Sequence, residues 1–167
     1  MLRDFSEADL SLVQSVASDP LIPLITTIPA SGSHDDGLAF IYRQRGRVAT
    51  GEGYSFAIAD HGTGEAVGQI GLWLPDIKDG RADIGYWIAA RYRRRGYLTR
   101  ALECLTSWAI DLDDIHRLQM KVEPGNEGSW RAAQRCGFQR EGLLRSWQTI
   151  GDSRKDLYMY SVVATRR

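Results

Sequence analysis

The chain has little of what marks a specialised environment. In 167 residues there are two cysteines and three histidines. Cys104 and Cys136 lie in stretches with helical patterning and apolar neighbours, so two buried, reduced thiols are expected rather than a disulfide framework. His34, His61 and His116 are scattered, without the spacing to cysteine that a zinc site needs, and no metal is expected. Charge of one sign is not in excess. Lys plus Arg is 21 and Asp plus Glu is 21, which argues against a dedicated nucleic-acid binder. No apolar run approaches the ~18 residues of a membrane span. The opening MLRDFSEADL has no apolar stretch like that of a secretory signal, so a cytoplasmic location is expected. Repeats and low-complexity tracts are missing too. What remains is ordinary: 43% apolar and 25% charged residues. A chain of this length buries ~68–70% of its unfolded surface without help from metal or disulfide. Residues 1–167 are read as one domain.

Periodicity places the elements. Residues 2–5 read as a short edge strand. Ser6 ahead of Glu7 and Asp9 starts a helix, with acids in its first turn. Pro20, Pro23 and Pro29 make residues 20–29 a loop or broken helix, though an apolar one. A helix is expected from about Asp35 to Gly46. Residues 54–59 and 66–74 form a hairpin around the turn residues 60–64. Residues 81–89 are a further strand. Leu98, Ala101, Leu102, Leu105, Trp108 and Ala109 recur at helical spacing and specify an amphipathic helix. Residues 118–123 alternate as a half-buried strand. Residues 126–136 are helical and stop at Gly137. Two strands close the chain, one from Phe138 and one over residues 156–164, with a turn at 146–152. The sum is an α+β domain around one antiparallel-rich sheet.

One stretch carries chemistry. Arg93, Arg94, Arg95, Gly96 and Tyr97 lie between the 81–89 strand and the helix that follows. A helix N-terminus has unpaired N–H groups and about half a positive charge, so it attracts phosphate. Gly96 removes a side chain where backbone must approach a ligand closely. Arg91 and the three arginines after it concentrate positive charge in an otherwise neutral chain. A solvated basic turn explains the same residues equally well when they are taken alone.

Context decides. Ile84-Gly85-Tyr86-Trp87-Ile88 precedes Arg93-x-x-Gly96-Tyr97-x-Thr99, followed by Asn126-x-x-Ser129, Gly137-Phe138 and Glu141-Gly142-x-x-Arg145. In that order and at those separations, the sequence resembles the GNAT acyltransferase superfamily, most closely its ribosomal-protein N-terminal acetyltransferase branch. The resemblance covers nearly the whole chain. It implies a central mixed, mostly antiparallel sheet of about seven strands flanked by about four helices, with strands splayed at a coenzyme site. It implies acetyl-CoA as acyl donor, an amine acceptor (a protein N-terminus or a small molecule), and a homodimer as one form of the enzyme. The coenzyme diphosphate falls on the amides of Arg93, Arg94, Arg95, Gly96, Tyr97, Leu98 and Thr99. Leu98 stands where the family prefers Gly or Ala, but its N–H is still available. The pantetheine arm falls on the strand end Trp87, Ile88 and Ala89, with the Trp87 N–H aimed at the thioester carbonyl as a fixed oxyanion donor.

The acid and base are implied with less agreement. Some members use a Tyr seven residues after the motif Asn, a position held here by Ala133. The ribosomal branch uses the Ser of N-x-x-S, here Ser129, with Asn126 as helix cap and coenzyme contact. Asp83 falls where histone-type members carry a base. The ribosomal branch's Glu, nineteen residues after the Ser, is replaced by Gln148. The acceptor is placed by the resemblance at the 20–29 segment and the 146–152 turn, with Ile22, Leu24, Ile25 and Trp147 as apolar lining. Two other functions compete with acyl transfer. One is a catalytically weak coenzyme-binding sensor, which Ala133 and Gln148 favour. The other is nucleic-acid contact by the arginine run, which zero net charge opposes.

Overall fold

The structure, a computed structural model, describes residues 1–165. Its strands form a seven-stranded mixed sheet in the order β1-β2-β3-β4-β5-β7-β6. The chain divides into two compact units. One comprises Met1–Gly71 with Tyr86–Tyr97, the other Leu72–Gly85 with Leu98 onward.

In the first unit, β1 (Leu2–Arg3) pairs antiparallel with β2 (Gly53–Ala59), Leu2 opposite Ile58. The strand is shorter than the expected 2–5. Phe5 turns into the core instead, and the Asp9 carboxylate accepts the Ser6 N–H at 2.9 Å to open a 3-10 turn. That turn runs into α1 (Leu10–Val16). Burial raises the proton affinity of Asp9, but the two-pronged Arg3 bond (2.7 and 2.8 Å) and the Ser6 N–H outweigh it and hold the carboxyl below its ordinary range. Residues 20–29 are a broken helix: only α2 (Ile22–Ile25) is helical, one turn whose entry is held by Asp19 Oδ1 accepting the N–H groups of Leu21 and Ile22. Ile22 is buried while Leu24 and Ile25 are exposed. α3 (His34–Gly46) starts where Ser33 Oγ accepts the Asp36 N–H. β2 returns as β3 (Ala66–Trp73) through a loop in which Asp60 Oδ1 accepts the N–H groups of Gly62 and Thr63. The core of this unit gathers Leu12, Val13, Phe40, Ile41 and Trp87, with Phe5 edge-on to Phe40 at 5.7 Å.

β4 (Arg81–Ile88) begins in the second unit and ends in the first; its part in the second, Arg81–Gly85, runs parallel to β5 (Arg117–Val122). A parallel pair needs a long crossover, and α4 (Tyr97–Ala109) supplies it. The ladder pairs Arg81 with Arg117, Ala82 with Leu118 and Asp83 with Gln119, and ends there although both strands continue. Along α4, Ala101, Leu102, Leu105 and Ala109 are buried. Trp108 (38% exposed) and Cys104 are not, which corrects both sequence expectations. Each lies on the edge of the apolar stripe, where a strict i, i+3, i+4 count assigns too wide a face. Cys136 is half-buried; burial pushes its thiol up to about 11, and both cysteines are free thiols. α5 (Glu127–Arg135) ends at Gly137, whose φ of 84° is the left-handed conformation glycine tolerates. β6 (Gln139–Ile150) and β7 (Ser153–Val163) make a long hairpin closed by Gly151 and Asp152. The turn is thus two residues, not 146–152. Ser146 sits inside β6 at a register shift, with a φ of 49°.

Candidate active site

The turn before α4 folds as a concave run of amides. Ala90–Tyr92 form a 3-10 turn, and the Arg93 N–H closes it on the Ala90 carbonyl. That amide is therefore engaged, and the unpaired run begins one residue later than the sequence places it. Arg94 (φ 63°) and Gly96 (φ 79°) are both left-handed. Alternating hand turns successive N–H groups to one side, which is how backbone makes an anion-binding nest. An arginine in this region costs ~1 kcal/mol or more, and nothing in the sequence marks Arg94 for it. The amides of Tyr97, Leu98 and Thr99 follow as the first turn of α4, where no intrahelical acceptor exists.

The arginines have separate tasks. Arg93 donates to the Ile88 carbonyl (3.0 Å) and to Asp19 Oδ2 (2.8 Å), so its guanidinium staples the turn. Asp19 Oδ1 takes the amides of Leu21 and Ile22, so one carboxylate serves both the turn and α2. Arg91 lies over the Tyr92 ring at 4.8 Å. Arg94 is exposed and bonds to no described residue. Tyr92 and Tyr97 meet edge to face at 6.4 Å. Their hydroxyls donate to Glu65 and to Asp60 Oδ2, on either side of the β2–β3 loop. The Tyr97 hydrogen bond is the largest cause holding the Asp60 carboxyl below its ordinary range.

Trp87, Ile88 and Ala89 are buried. The Trp87 side chain is core, its indole N–H donating to Gln69 Oε1 at 2.6 Å. The Ala89 N–H donates to the Val67 carbonyl at 3.0 Å. Between these contacts, Gly68 leaves no room for a side chain: a Cβ there would stand 2.2 Å from the Trp87 carbonyl oxygen.

The remaining candidates lie in the second unit. Asn126 Oδ1 accepts the Ser129 N–H at 3.3 Å, so Asn126 caps α5 as expected. Ser129 is 7% exposed, and its hydroxyl bonds to no described residue. Ala133 is fully buried. Asp83 is engaged: Lys121 Nζ donates to its Oδ1 at 2.6 Å, and Gln119 Nε2 stands 3.4 Å from the same oxygen. Gln148 is exposed in β6, opposite Lys155. Glu141 has a role the motif alone does not show. It is the extra residue at a register shift between Arg140 and Gly142, and its carboxylate takes Arg117 at 2.8 and 2.5 Å and Ser161 Oγ at 2.6 Å. Arg117 first, then Ser161, pulls its carboxyl down to about 2 from 4.5. A depressed carboxyl stabilises the fold above its unfolded value and loses that contribution as pH falls toward its folded one. Glu141 is exposed, so solvent limits the gain to ~1 kcal/mol. Glu141→Gln is expected to lower the unfolding free energy read from urea titration by about 1 kcal/mol near neutral pH. The gap between variant and parent should close as acid approaches the folded value.

Among the described residues, no helix is long and apolar enough to cross a membrane, and no group of three or more His, Cys, Asp or Glu is placed to hold a metal.

Residues 1–139 match the acetyltransferase (GNAT) domain family, and the chain belongs to that family of acyltransferases. It is similar to an uncharacterized N-acetyltransferase p20 of Bacillus licheniformis, 31% identical over 113 residues, 68% of this chain and 64% of that protein. It is also similar to the ribosomal-protein-serine acetyltransferase of Escherichia coli strain K12, 27% identical over 97 residues, 58% of this chain and 54% of that protein. These matches thus span less than two thirds of either relative's length. In fold it matches Mycobacterium smegmatis RimJ in complex with CoA-disulfide, with a TM-score of 0.82 at 22% identity, over 98% of this chain and 81% of that one. Ribosomal-protein acetyltransferases are among both its relatives and its structural neighbours, the latter including the ribosomal-protein-S5-alanine acetyltransferase of Vibrio fischeri, with a TM-score of 0.79 at 17% identity over 98% of this chain and 92% of that one.

Proposed function

We propose that residues 1–167 form one N-acyltransferase domain that moves the acetyl group of acetyl-CoA directly to a primary amine in the cytoplasm. The observation that carries this is the Arg94–Gly96 left-handed pair leading into the bare amides of α4. A diphosphate is the ligand such a turn suits. The fold neighbour RimJ, whose structure contains a coenzyme A disulfide, supports the same donor.

In this reading the amine nitrogen attacks the thioester carbonyl. A main-chain N–H at the end of β4 steadies the oxyanion, the C–S bond breaks, and Ser129 gives a proton to the departing thiolate; Trp87, expected as that donor, has its carbonyl against Gly68, and a strand residue turns its N–H to the same side, toward β3. The incoming amine must shed a proton. Asp83, whose Oδ1 already takes the Lys121 ammonium, offers only its Oδ2 to accept it. A site with so poor a base suits amines that are already partly neutral. An α-amine titrates at ~7.7–8.0 and a lysine at ~10.4, so near neutrality roughly a tenth of the first and under a thousandth of the second are ready to attack.

Thiol release from acetyl-CoA, measured against a panel of amines, tests this. α-Amino peptides are expected to outpace Nα-blocked lysine peptides in kcat/KM by at least about tenfold. A preference for lysine would overturn the acceptor assignment. Coenzyme binding with no thiol release for any amine would favour a coenzyme-sensing module, the reading that the Asp83–Lys121 pair supports.

A further inference from the structure

Arg93 is the odd member of the arginine run. Arg91 and Arg95 lie over the Tyr92 ring and Arg94 is exposed, whereas the Arg93 side chain reaches back to the main chain of β4. Its Nε donates to the Ile88 carbonyl at 3.0 Å, and a terminal nitrogen donates to Asp19 Oδ2 at 2.8 Å. The Asp19 side chain is 9% exposed, and its other oxygen already takes the Leu21 and Ile22 amides at 2.9 and 3.0 Å. Asp19 therefore cannot follow a wandering guanidinium; it fixes where Arg93 points. A pair whose arginine is 48% exposed adds little to stability by itself. What matters is the group that Arg93 is made to hold.

That group is a particular carbonyl. In an extended strand the N–H and C=O of one residue point to the same side, and those of the next residue to the other. The Ala89 N–H donates to the Val67 carbonyl at 3.0 Å, and the Trp87 carbonyl stands against Gly68, so Trp87 and Ala89 both face β3. Ile88 lies between them, and its two main-chain groups turn to the opposite side. Its carbonyl is found there, on Arg93. The ladder with β5 does not claim that side of Ile88, because its last pair is Asp83 with Gln119.

The consequence is chemical. Ile88 presents an acceptor and a donor side by side, away from β3. A thioester carbonyl brings a partial negative charge, which an N–H attracts and a bare C=O repels. Arg93 occupies the Ile88 carbonyl, covers its negative end with a cation and leaves the N–H as the group to be met. The Arg93 amide is engaged as well, since it closes the 3-10 turn on the Ala90 carbonyl. Both the side chain and the amide of Arg93 are thus committed to the protein before any phosphate arrives.

We propose that Arg93 is a positioning residue for acyl transfer. Anchored by Asp19, it holds the Ile88 carbonyl so that the Ile88 N–H is the main-chain donor that meets the thioester carbonyl and steadies its oxyanion. This rests on the acyl-transfer reading above, in which the thioester lies along the end of β4. The task of Arg93 is at the reacting carbonyl and not at the diphosphate.

The test compares the full chain with Arg93→Met, Asp19→Asn and the double variant. Two donors are used with one α-amino peptide: acetyl-CoA, and acetyl-pantetheine, which carries the thioester without the diphosphate. Arg93→Met keeps the apolar stem and removes both bonds. Asp19→Asn keeps an oxygen for the Leu21 and Ile22 amides and removes the charge that anchors the guanidinium. Arg93→Met is expected to lower kcat with acetyl-CoA about ten- to a hundredfold per folded molecule, the penalty of a misaimed oxyanion donor. The same factor should appear in kcat/KM with acetyl-pantetheine, while the Kd of coenzyme A stays within about twofold. Asp19→Asn should show this pattern at smaller size, and the double variant should be no slower than Arg93→Met, because the pair acts as a unit. In the parent the Ile88 amide proton, followed by NMR, should move downfield when acetyl-CoA replaces coenzyme A, and in the variants it should move less. A loss confined to acetyl-CoA, with weakened coenzyme affinity, would make Arg93 a diphosphate cation and overturn the proposal, leaving the acyl-transfer reading intact. Unchanged turnover with both donors would make the ion pair structural only and overturn it as well. An Ile88 amide indifferent to the acetyl group, in a parent that releases thiol, would overturn the donor assignment and the proposal with it. A parent that binds no coenzyme would instead overturn the acyl-transfer reading. Should Arg93→Met not fold, Asp19→Asn gives the same readings.

Discussion

Ser129→Ala is expected to lose turnover while keeping both its fold and its coenzyme. The hydroxyl makes no bond to any described residue, so removing it breaks nothing that holds the unit together. The α5 cap also survives, because Asn126 takes the main-chain N–H of Ser129 and not its side chain. What disappears, in the proposed mechanism, is the proton donor for the thiolate. A thiol titrates near ~8.5, so the departing sulfur is a fair leaving group even unaided. The loss in kcat should accordingly sit at the low end for a general acid, about a hundredfold or somewhat less. Coenzyme Kd by calorimetry should move by less than about twofold, and the denaturation midpoint should hold or rise. An unchanged kcat would hand the proton to water. A fall in stability alongside activity would mark Ser129 as structural.

The second large effect belongs to Gly68→Ala. A methyl there meets the Trp87 carbonyl oxygen at 2.2 Å, Ile88 Cδ1 at 2.9 Å and Ile88 Cα at 3.1 Å. Two of those three atoms are main chain and cannot swing aside. The strand end must move, and overpacking against backbone costs about 3 kcal/mol. Because the atoms displaced are those of Trp87 and Ile88, acyl transfer should fail in whatever fraction still folds. Gly46→Ala is the matching control. It lies at the end of α3 with nothing within 4 Å of the added carbon, and should stabilise by up to about 1 kcal/mol. Thermal unfolding of the three proteins side by side separates these outcomes. Equal midpoints for Gly68→Ala and the parent would mean that β3 and the Trp87 strand are looser than the contact describes.

Much of this fold was legible from period and punctuation. The β2–β3 hairpin, α4 and β5 follow from spacing, and the ends of α5 from Asn126 and Gly137, because each depends on neighbours within a few residues. At the turn before α4 the sequence places bare amides from residue 93, and the structure leaves them bare only from 94, because Arg93 closes the 3-10 turn on Ala90. The site was not legible where side chains act across long separations. Asp83 reads as a free base until Lys121, 38 residues on, is seen to hold it. Gln69 reads as a strand residue of no account until Gln44, Ser55 and Trp87 surround it. Arg93 reads as a cation for the ligand, whereas Asp19 and the Ile88 carbonyl claim it. The long β6 hairpin was missed because its length depends on register shifts at Glu141 and Ser146, which leave no mark in hydropathy.

The phenols of Tyr92 and Tyr97 moor the turn before α4, the proposed seat of the diphosphate, to the tip that joins β2 and β3. That tip, solvated and polar, looks like idle ground for a tag or an insert. It is a mooring post instead. Lengthening it would let the turn drift, and a change made far from any reacting atom would surface first as a weakened hold on the coenzyme.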